Sequence, residues 1–293
     1  MRLIRSHGLG NDYLVLDSGE PMSPARAQAL CDRHEGVGGD GVLEPIPSAV
    51  ADFGLRIWNP DGSLAEKSGN GLRIFAHWAR HHRAAPLEFG VEVAAGIARC
   101  ALDADGDLIT VDMGVATRAP ALVPCGAPLD RSPLVIPGPR GPERLVVSAV
   151  GVGNPHCVLF AEDQDPAFLD DENTLLEGQD ALLDRLPWRR WGAALERHPM
   201  FPQRTNVQLA RVLGPDRLAL RVWERGAGET RASGSSACAV AVAAFMQGRA
   251  SGAVRVEMPG GVLDVWVSPA LAVRQRGPVV EIALVETRRS WPR

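Results

Sequence analysis

Short runs that alternate between apolar and polar residues, the period of strands, dominate this chain, and a few stretches at helical spacing interrupt them. Leu14-Val15-Leu16 reads as a short strand behind a glycine turn, and residues 25–33 read as a helix with Leu30 on its inner face. Leu55-Arg56-Ile57-Trp58 alternates like a half-buried strand that ends in the turn Asn59-Pro60-Asp61-Gly62. A helix is predicted over 72–82, followed by strand-like runs at 87–93, 97–102 and 108–113. The second half repeats this order. It has strands at 145–152 and 157–160, a helix near 180–186, strands at 206–211 and 217–223, a helix over 237–246, and closing strands at 254–258, 262–267 and 279–285.

Two halves with the same order of elements imply an internal duplication, with a period far longer than that of a solenoid repeat. The 237–246 helix is apolar on nearly every face, so it is expected to be buried all round, and its alanines let strands approach closely. The expected fold is α+β: two pseudo-symmetric lobes, each a curled, mostly antiparallel sheet around a central helix. Proline and glycine are dense from 119 to 143, and the junction is placed at the start of that stretch. The lobes are then 1–118, completed by a C-terminal strand at about 279–293, and 119–278.

With 293 residues and 45% apolar content the chain can bury a sizeable core. A net charge of −4 gives no electrostatic case for nucleic acid or an anionic membrane. No apolar run is long enough to cross a bilayer, and the N-terminus lacks the apolar stretch of a signal peptide, so a cytoplasmic protein is expected. Five scattered cysteines without CxxC spacing argue against a metal site or a disulfide framework. Basic residues are almost all arginine; Lys67 is the one lysine.

Candidate chemistry begins at two helix starts, Glu66-Lys67-Ser68-Gly69-Asn70-Gly71 and Ala232-Ser233-Gly234-Ser235-Ser236. A hydroxyl residue, a glycine and small polar residues cap the unpaired N–H groups of a helix N-terminus and can hold an anion there. Two such ends, one from each half, suit an enzyme that works on both faces of one carbon atom. Polar turns recur around them: Asn11 after His7-Gly8-Leu9-Gly10, Asn59 before Pro60-Asp61-Gly62, Asn154 and His156 in Gly153-Asn154-Pro155-His156, Asn206 after Arg204-Thr205, and the pair Glu224-Arg225. Singly, each has a plainer reading: asparagine beside glycine forms turns, serine caps helices, and a lone histidine is more often structural. Together they form a set able to bind ammonium and carboxylate groups.

The ordered blocks HGLGND (7–12), CDRHEGVGGDGV (31–42), NPDGSLAEKSGNGLR (59–73), GNPH (153–156), LERHPMFPQRTNV (195–207) and ERGAGET-RASGSSACA (224–239) resemble diaminopimelate epimerase, in family order and over nearly the whole chain. The resemblance implies a cofactor-free amino-acid epimerase of lysine biosynthesis, a homodimer, that converts LL- to meso-diaminopimelate with one acid–base residue from each lobe. It implies substrate ligands at Asn11, Asn59, Asn154, Asn206 and Arg225 with the Glu224 carbonyl. The N–H groups of Gly69, Asn70, Gly234 and Ser235 would hold the α-carboxylate, and His156 and Glu224 would support the acid–base pair.

The departures are chemical. Where the family has its two catalytic cysteines this chain has Ser68 and Ser233, and Cys238 is a helix position that the family also has. Lys67 replaces an apolar residue, Pro60 an alanine and Ser236 a glycine, and the family's later TGPA segment has no clean counterpart. Three functions follow as alternatives. One is an epimerase with activated serines. Another is one-base exchange or elimination on an amino acid, with Lys67 as an alternative base. The third is amino-acid binding without catalysis, in which the serines are simple caps and Lys67 a surface charge.

Overall fold

The computed structural model describes residues 1–169, 181–287 and 291–292. The chain divides into two compact units, Met1–Asp112 with Gln275–Arg293, and Met113–Arg274.

In the first unit β1 (Arg2–Gly8) pairs antiparallel with β2 (Asn11–Ser18) and with the last strand of the chain, Val280–Glu286. Helix α1 (Pro24–Cys31) follows, opened by Ser23, whose hydroxyl accepts from the Arg26 N–H, and by Pro24 at its first position. β2 then runs parallel to β3 (Val42–Ile46), which pairs antiparallel with β4 (Phe53–Trp58). β4 forms a hairpin with β5 (Leu64–Ala65) and runs parallel to β6 (Glu88–Val93); β6, β7 (Gly96–Leu102) and β8 (Leu108–Val115) continue antiparallel. Between β5 and β6 lies α2 (Gly69–Arg83), buried from Gly69 to Ala79 and packed on β1, β2 and β7. Its last turn carries Arg80, His81, His82 and Arg83, the charge that suits a helix C-terminus.

The second unit repeats most of this scheme. β9 (Ser132–Gly138) and β10 (Gly141–Gly151) are antiparallel, as are β10 and β11 (Pro155–Phe160). β11 runs parallel to β12 (Asn206–Gly214), after α3 (Ala181–Arg185) and α4 (Trp188–Glu196). β12 pairs antiparallel with β13 (Arg217–Glu224), β13 forms a hairpin with β14 (Gly228–Thr230) and runs parallel to β15 (Ala253–Met258), and β15 pairs antiparallel with β16 (Gly261–Val267). Helix α5 (Gly234–Met246) occupies the place of α2. It packs against β10, β11, β12, β13, β15 and β16, and every residue from Ser236 to Ala244 is buried. The remaining strands are β17 (Ala272–Pro278) and β18 (Val280–Glu286).

Several elements differ from the sequence reading. The proline-rich stretch contains β9, and Val123, Leu129, Leu134 and Ile136 join the core of the second unit with Trp188, Trp191 and Leu195 of α4. Pro133 and Pro137 lack the N–H groups that mark a strand, which conceals β9 in the sequence. Helix α4 starts without a side-chain cap, so no start signal announces it. The helix expected near 180–186 is α3; residue 180 lies outside the described residues.

Candidate active site

In the first unit the site is built around the start of α2. Leu9 (φ 58°) and Gly10 (φ 91°) form a two-residue turn with both φ angles positive, which matches the twist of the paired strands β1 and β2. That turn presents Asn11 at the head of β2. A chain of hydrogen bonds then leads from the fully buried Arg73. Its Nη2 donates to Asn70 Oδ1 (2.7 Å), Asn70 Nδ2 donates to Asn11 Oδ1 (3.0 Å), and Asn11 Nδ2 donates to Asp40 Oδ2 (2.7 Å). Arg73 Nη1 also donates to Gln275 Oε1 at 3.3 Å. A Cβ on Gly8 would lie 2.9 Å from Arg73 Nη2, so glycine is what lets the guanidinium lie against β1. Asp40 is held by Arg33, which also binds Asp12 beside Arg5. Burial raises the Asp12 pKa, but hydrogen bonds from Arg33 and Arg5 outweigh it and keep the carboxyl below its ordinary value.

Ser68 is the N-cap of α2, in extended backbone (φ −136°, ψ 119°). Its Oγ accepts from the Gly71 N–H at 3.0 Å and lies 3.2 Å from the Tyr13 hydroxyl. Gly69 and Asn70 open the helix, where N–H groups have no partner within the helix itself. Asn59 stands apart: its Nδ2 donates to Ser63 Oγ at 2.9 Å, inside its own turn. Lys67 Nζ donates to the Asp112 carbonyl at 2.8 Å.

In the second unit Ser233 caps α5 in nearly the same conformation (φ −144°, ψ 123°), but its hydroxyl makes no capping hydrogen bond. Asn154 follows Gly153 (φ 78°) and accepts from His156 Nε2 at 2.7 Å. Gln208 Nε2 reaches His156 Nδ1 at 3.1 Å and donates to Ser236 Oγ at 2.9 Å. The imidazole therefore donates through Nε2–H and accepts at Nδ1, the neutral tautomer. Complete burial, then the nearby Arg225 charge, push its pKa down to about 3, with the Gln208 bond opposing the shift. Asn206 Nδ2 donates to the Pro155 carbonyl (3.0 Å), and Asn206 Oδ1 accepts the Arg225 N–H (2.9 Å). Glu224 accepts from Thr230 Oγ1 at 2.8 Å. Buried Glu196 braces the same turn, accepting from the Gly226 N–H (3.0 Å) and from Trp223 Nε1 (2.9 Å).

Hydrogen bonds thus join Asn11 with Asn70 in one unit, and Asn154 with His156 and Asn206 with Arg225 in the other. Sequence reading missed Tyr13, Arg73, Gln208 and Glu196. The available signal for Gln208 and Arg73 was a polar residue at a position whose neighbours are all apolar or small. All five thiols are buried, and burial drives Cys31 and Cys100 up to about 12. Among the described residues one group could hold a metal: His77, His81 and Asp107 bring three ligand atoms within 4.8 Å, toward the far end of α2 from Ser68.

The family model "Diaminopimelate epimerase" matches residues 3–119 and 148–280. Curated proteins named diaminopimelate epimerase resemble the chain closely. That of Desulforudis audaxviator is 39% identical over 300 residues, 96% of this chain and 97% of that protein. The Synechococcus protein is 40% identical over 288 residues, covering 94% of each. Among solved structures, a hydroxyproline epimerase from Agrobacterium vitis superimposes with a TM-score of 0.69 at 13% identity, over 97% of this chain and 91% of that one. A Bacillus anthracis phenazine biosynthesis protein of the PhzF family gives 0.64 at 13%, covering 98% of both. Those two share the fold. No helix among the described residues is long and apolar enough to cross a membrane.

Proposed function

The chain belongs to the diaminopimelate epimerase family, and from that premise we propose that it inverts the α-carbon of LL-/meso-diaminopimelate without a cofactor, using Ser68 and Ser233 as the acid–base pair. The observation that carries this reading is the matched pair of helix starts. Each serine stands at the N-cap position of the central helix of its unit in the same extended conformation, ahead of a glycine whose N–H has no partner within the helix. Such an end holds a carboxylate, which acidifies the α-hydrogen by stabilising the charge that develops on deprotonation. Gly69, Asn70, Gly234 and Ser235 would supply these N–H groups. Asn11, Asn59, Asn154, Asn206 and Arg225, with the Glu224 carbonyl, would bind the remaining ammonium and carboxylate groups.

His156 is buried, neutral and bonded to two amides, so its part is to fix Asn154 rather than to carry protons. Glu224 is held by Thr230 across the turn that carries Arg225. An alcohol is a weaker acid than a thiol, whose pKa is about 8.5, and each pKa unit of mismatch costs about 1.4 kcal/mol of proton-transfer driving force. The reaction is therefore slow for the family. We place it in cytoplasmic lysine biosynthesis and in a homodimer; the half-exposed Val280, Ile282 and Leu284 on β18 offer an apolar face for the second copy.

A second reading, one-base exchange, is favoured by one asymmetry: Ser68 has a phenol beside it, whereas the Ser233 hydroxyl makes no capping bond. Deuterium uptake at Cα from D₂O, with LL- and meso-diaminopimelate, separates the readings. Exchange with inversion, lost in Ser68→Ala, supports the epimerase. Exchange without inversion points to one base, and binding without exchange removes catalysis from the site.

A further inference from the structure

We propose that Tyr13 is the proton partner of Ser68: the serine hydroxyl relays the α-proton to the Tyr13 phenolate and back. This rests on the reading of Ser68 as an acid–base group. The two oxygens lie 3.2 Å apart and either can donate to the other, the reversibility a relay requires. The Gly71 N–H occupies one acceptor position of Ser68 Oγ and fixes the hydroxyl at the helix end, where the positive pole of the dipole favours an anion. Tyr13 is itself fixed. It sits in β2 two residues beyond Asn11 and is almost wholly buried. Its ring lies so close to Gly41 that a Cβ there would come within 2.6 Å of a ring carbon. A phenol ionises near pH 10, far below an alcohol, so it supplies the basicity that serine lacks.

In the forward step the Cα–H bond breaks and its electron pair passes into the enediolate of the substrate carboxylate. The proton goes to Ser68 Oγ as the serine's own proton goes to the Tyr13 oxygen. Reprotonation runs the same transfers in reverse, and no other reagent enters.

The second unit is built differently. The residue two beyond Asn154 is His156, and its ring bonds Asn154 and Gln208 rather than Ser233. The aid from Tyr13 therefore belongs to one face of the substrate.

The ionisable groups on the elements around β2 are largely engaged. On β1, Arg2 binds Asp17 and Arg5 binds Asp12, and His7 accepts from the Gly10 N–H. On β3, Glu44 accepts from Met22 and Trp58. At the start of α2, Lys67 and Arg73 bind Asp112 and Asn70; further along it stand His77, Arg80, His81, His82 and Arg83. Asp40 on the loop before β3 binds Asn11 and Arg33.

Tyr13 is the only tyrosine in the chain, so the absorbance rise at 295 nm on ionisation reports it alone. The test compares the native chain with Tyr13→Phe, following α-deuterium uptake from each diaminopimelate isomer between pH 7 and 10.5. Native exchange is expected to climb along the 295 nm titration curve. In Tyr13→Phe, exchange from one isomer should fall at least about tenfold and lose that climb. Exchange with retention from the other isomer should stay within about twofold. In a Ser68→Cys background, where the thiol carries its own proton, Tyr13→Phe should change the rate by less than about threefold. Equal losses for both isomers, or an unchanged pH profile, would overturn the relay while leaving the epimerase reading intact. No exchange by the native chain at any pH would overturn both.

Discussion

At the scale of the residue, the exchange of sulfur for oxygen that the family resemblance implies at Ser68 and Ser233 alters acidity far more than shape. Ser68 and Ser233 hold the backbone geometry of helix caps, which cysteine can adopt equally well. A thiol at a helix N-terminus ionises within reach of neutral pH. Ser68→Cys combined with Ser233→Cys is therefore expected to raise epimerisation at pH 8 by at least about a hundredfold, a little under 3 kcal/mol off the barrier. Inversion of LL-diaminopimelate followed by polarimetry or chiral chromatography measures it. A rate no better than native would remove the serines from the chemistry. Both serines were legible in the sequence because cap, glycine and apolar helix lie side by side in the chain. Gln208 was not. Its role, joining His156 to Ser236, depends on three elements that meet only in the folded unit. Ser236, read from the resemblance as a departure from the family pattern, supplies the hydroxyl that accepts from Gln208.

At the scale of the element, helices α2 and α5 and most strands follow from periodicity, but their ends and pairings do not. The two parallel pairings that flank each central helix join strands distant in sequence, and local alternation carries no record of a partner. The β1–β2 hairpin shows how close approach enters. Gly8 belongs to a turn motif legible in the sequence, yet the reason for glycine there is the buried Arg73 guanidinium on α2. In Gly8→Ala the new Cβ would meet Nη2 at 2.9 Å, and Arg73 cannot retreat without releasing Asn70 or Gln275. The variant is expected to lose about 1–3 kcal/mol in urea unfolding, the usual range for overpacking a full interior. It should also raise the KM for substrate, because the Arg73–Asn70–Asn11 chain orients the amides proposed to bind it. Unchanged stability and KM together would show that the chain of bonds is slack.

At the scale of the whole molecule, the duplication was readable from the order of elements, and the same pairing scheme recurs in both units. Two consequences belong here. The first concerns assembly: Ile282→Asp with Leu284→Asp on β18 should convert the proposed homodimer to monomer in analytical ultracentrifugation, and a native chain that sediments as monomer refutes that proposal. The second concerns acid. His156 is held neutral in the fold, with its pKa lowered from 6.5 to about 3, so the unfolded chain binds a proton that the folded chain refuses between those values. Stability must then fall as pH drops below 6.5, and the loss levels off only near 3. His77, lowered by burial and by the neighbouring His81, acts with the same sign. Asp12 works in another window: its lowered pKa contributes stability above 3.8 that vanishes only as pH falls through the folded value. Between pH 7.5 and 5 the Asp12 contribution is constant while those of His156 and His77 fall, and the His156 share is about 2 kcal/mol by pH 5. Scanning calorimetry at those two pH values should show a lower Tm at pH 5. His156→Gln, which cannot titrate, should start less stable at pH 7.5 yet lose much less on acidification. A variant that keeps the full native slope would assign the acid sensitivity to groups other than the buried imidazole.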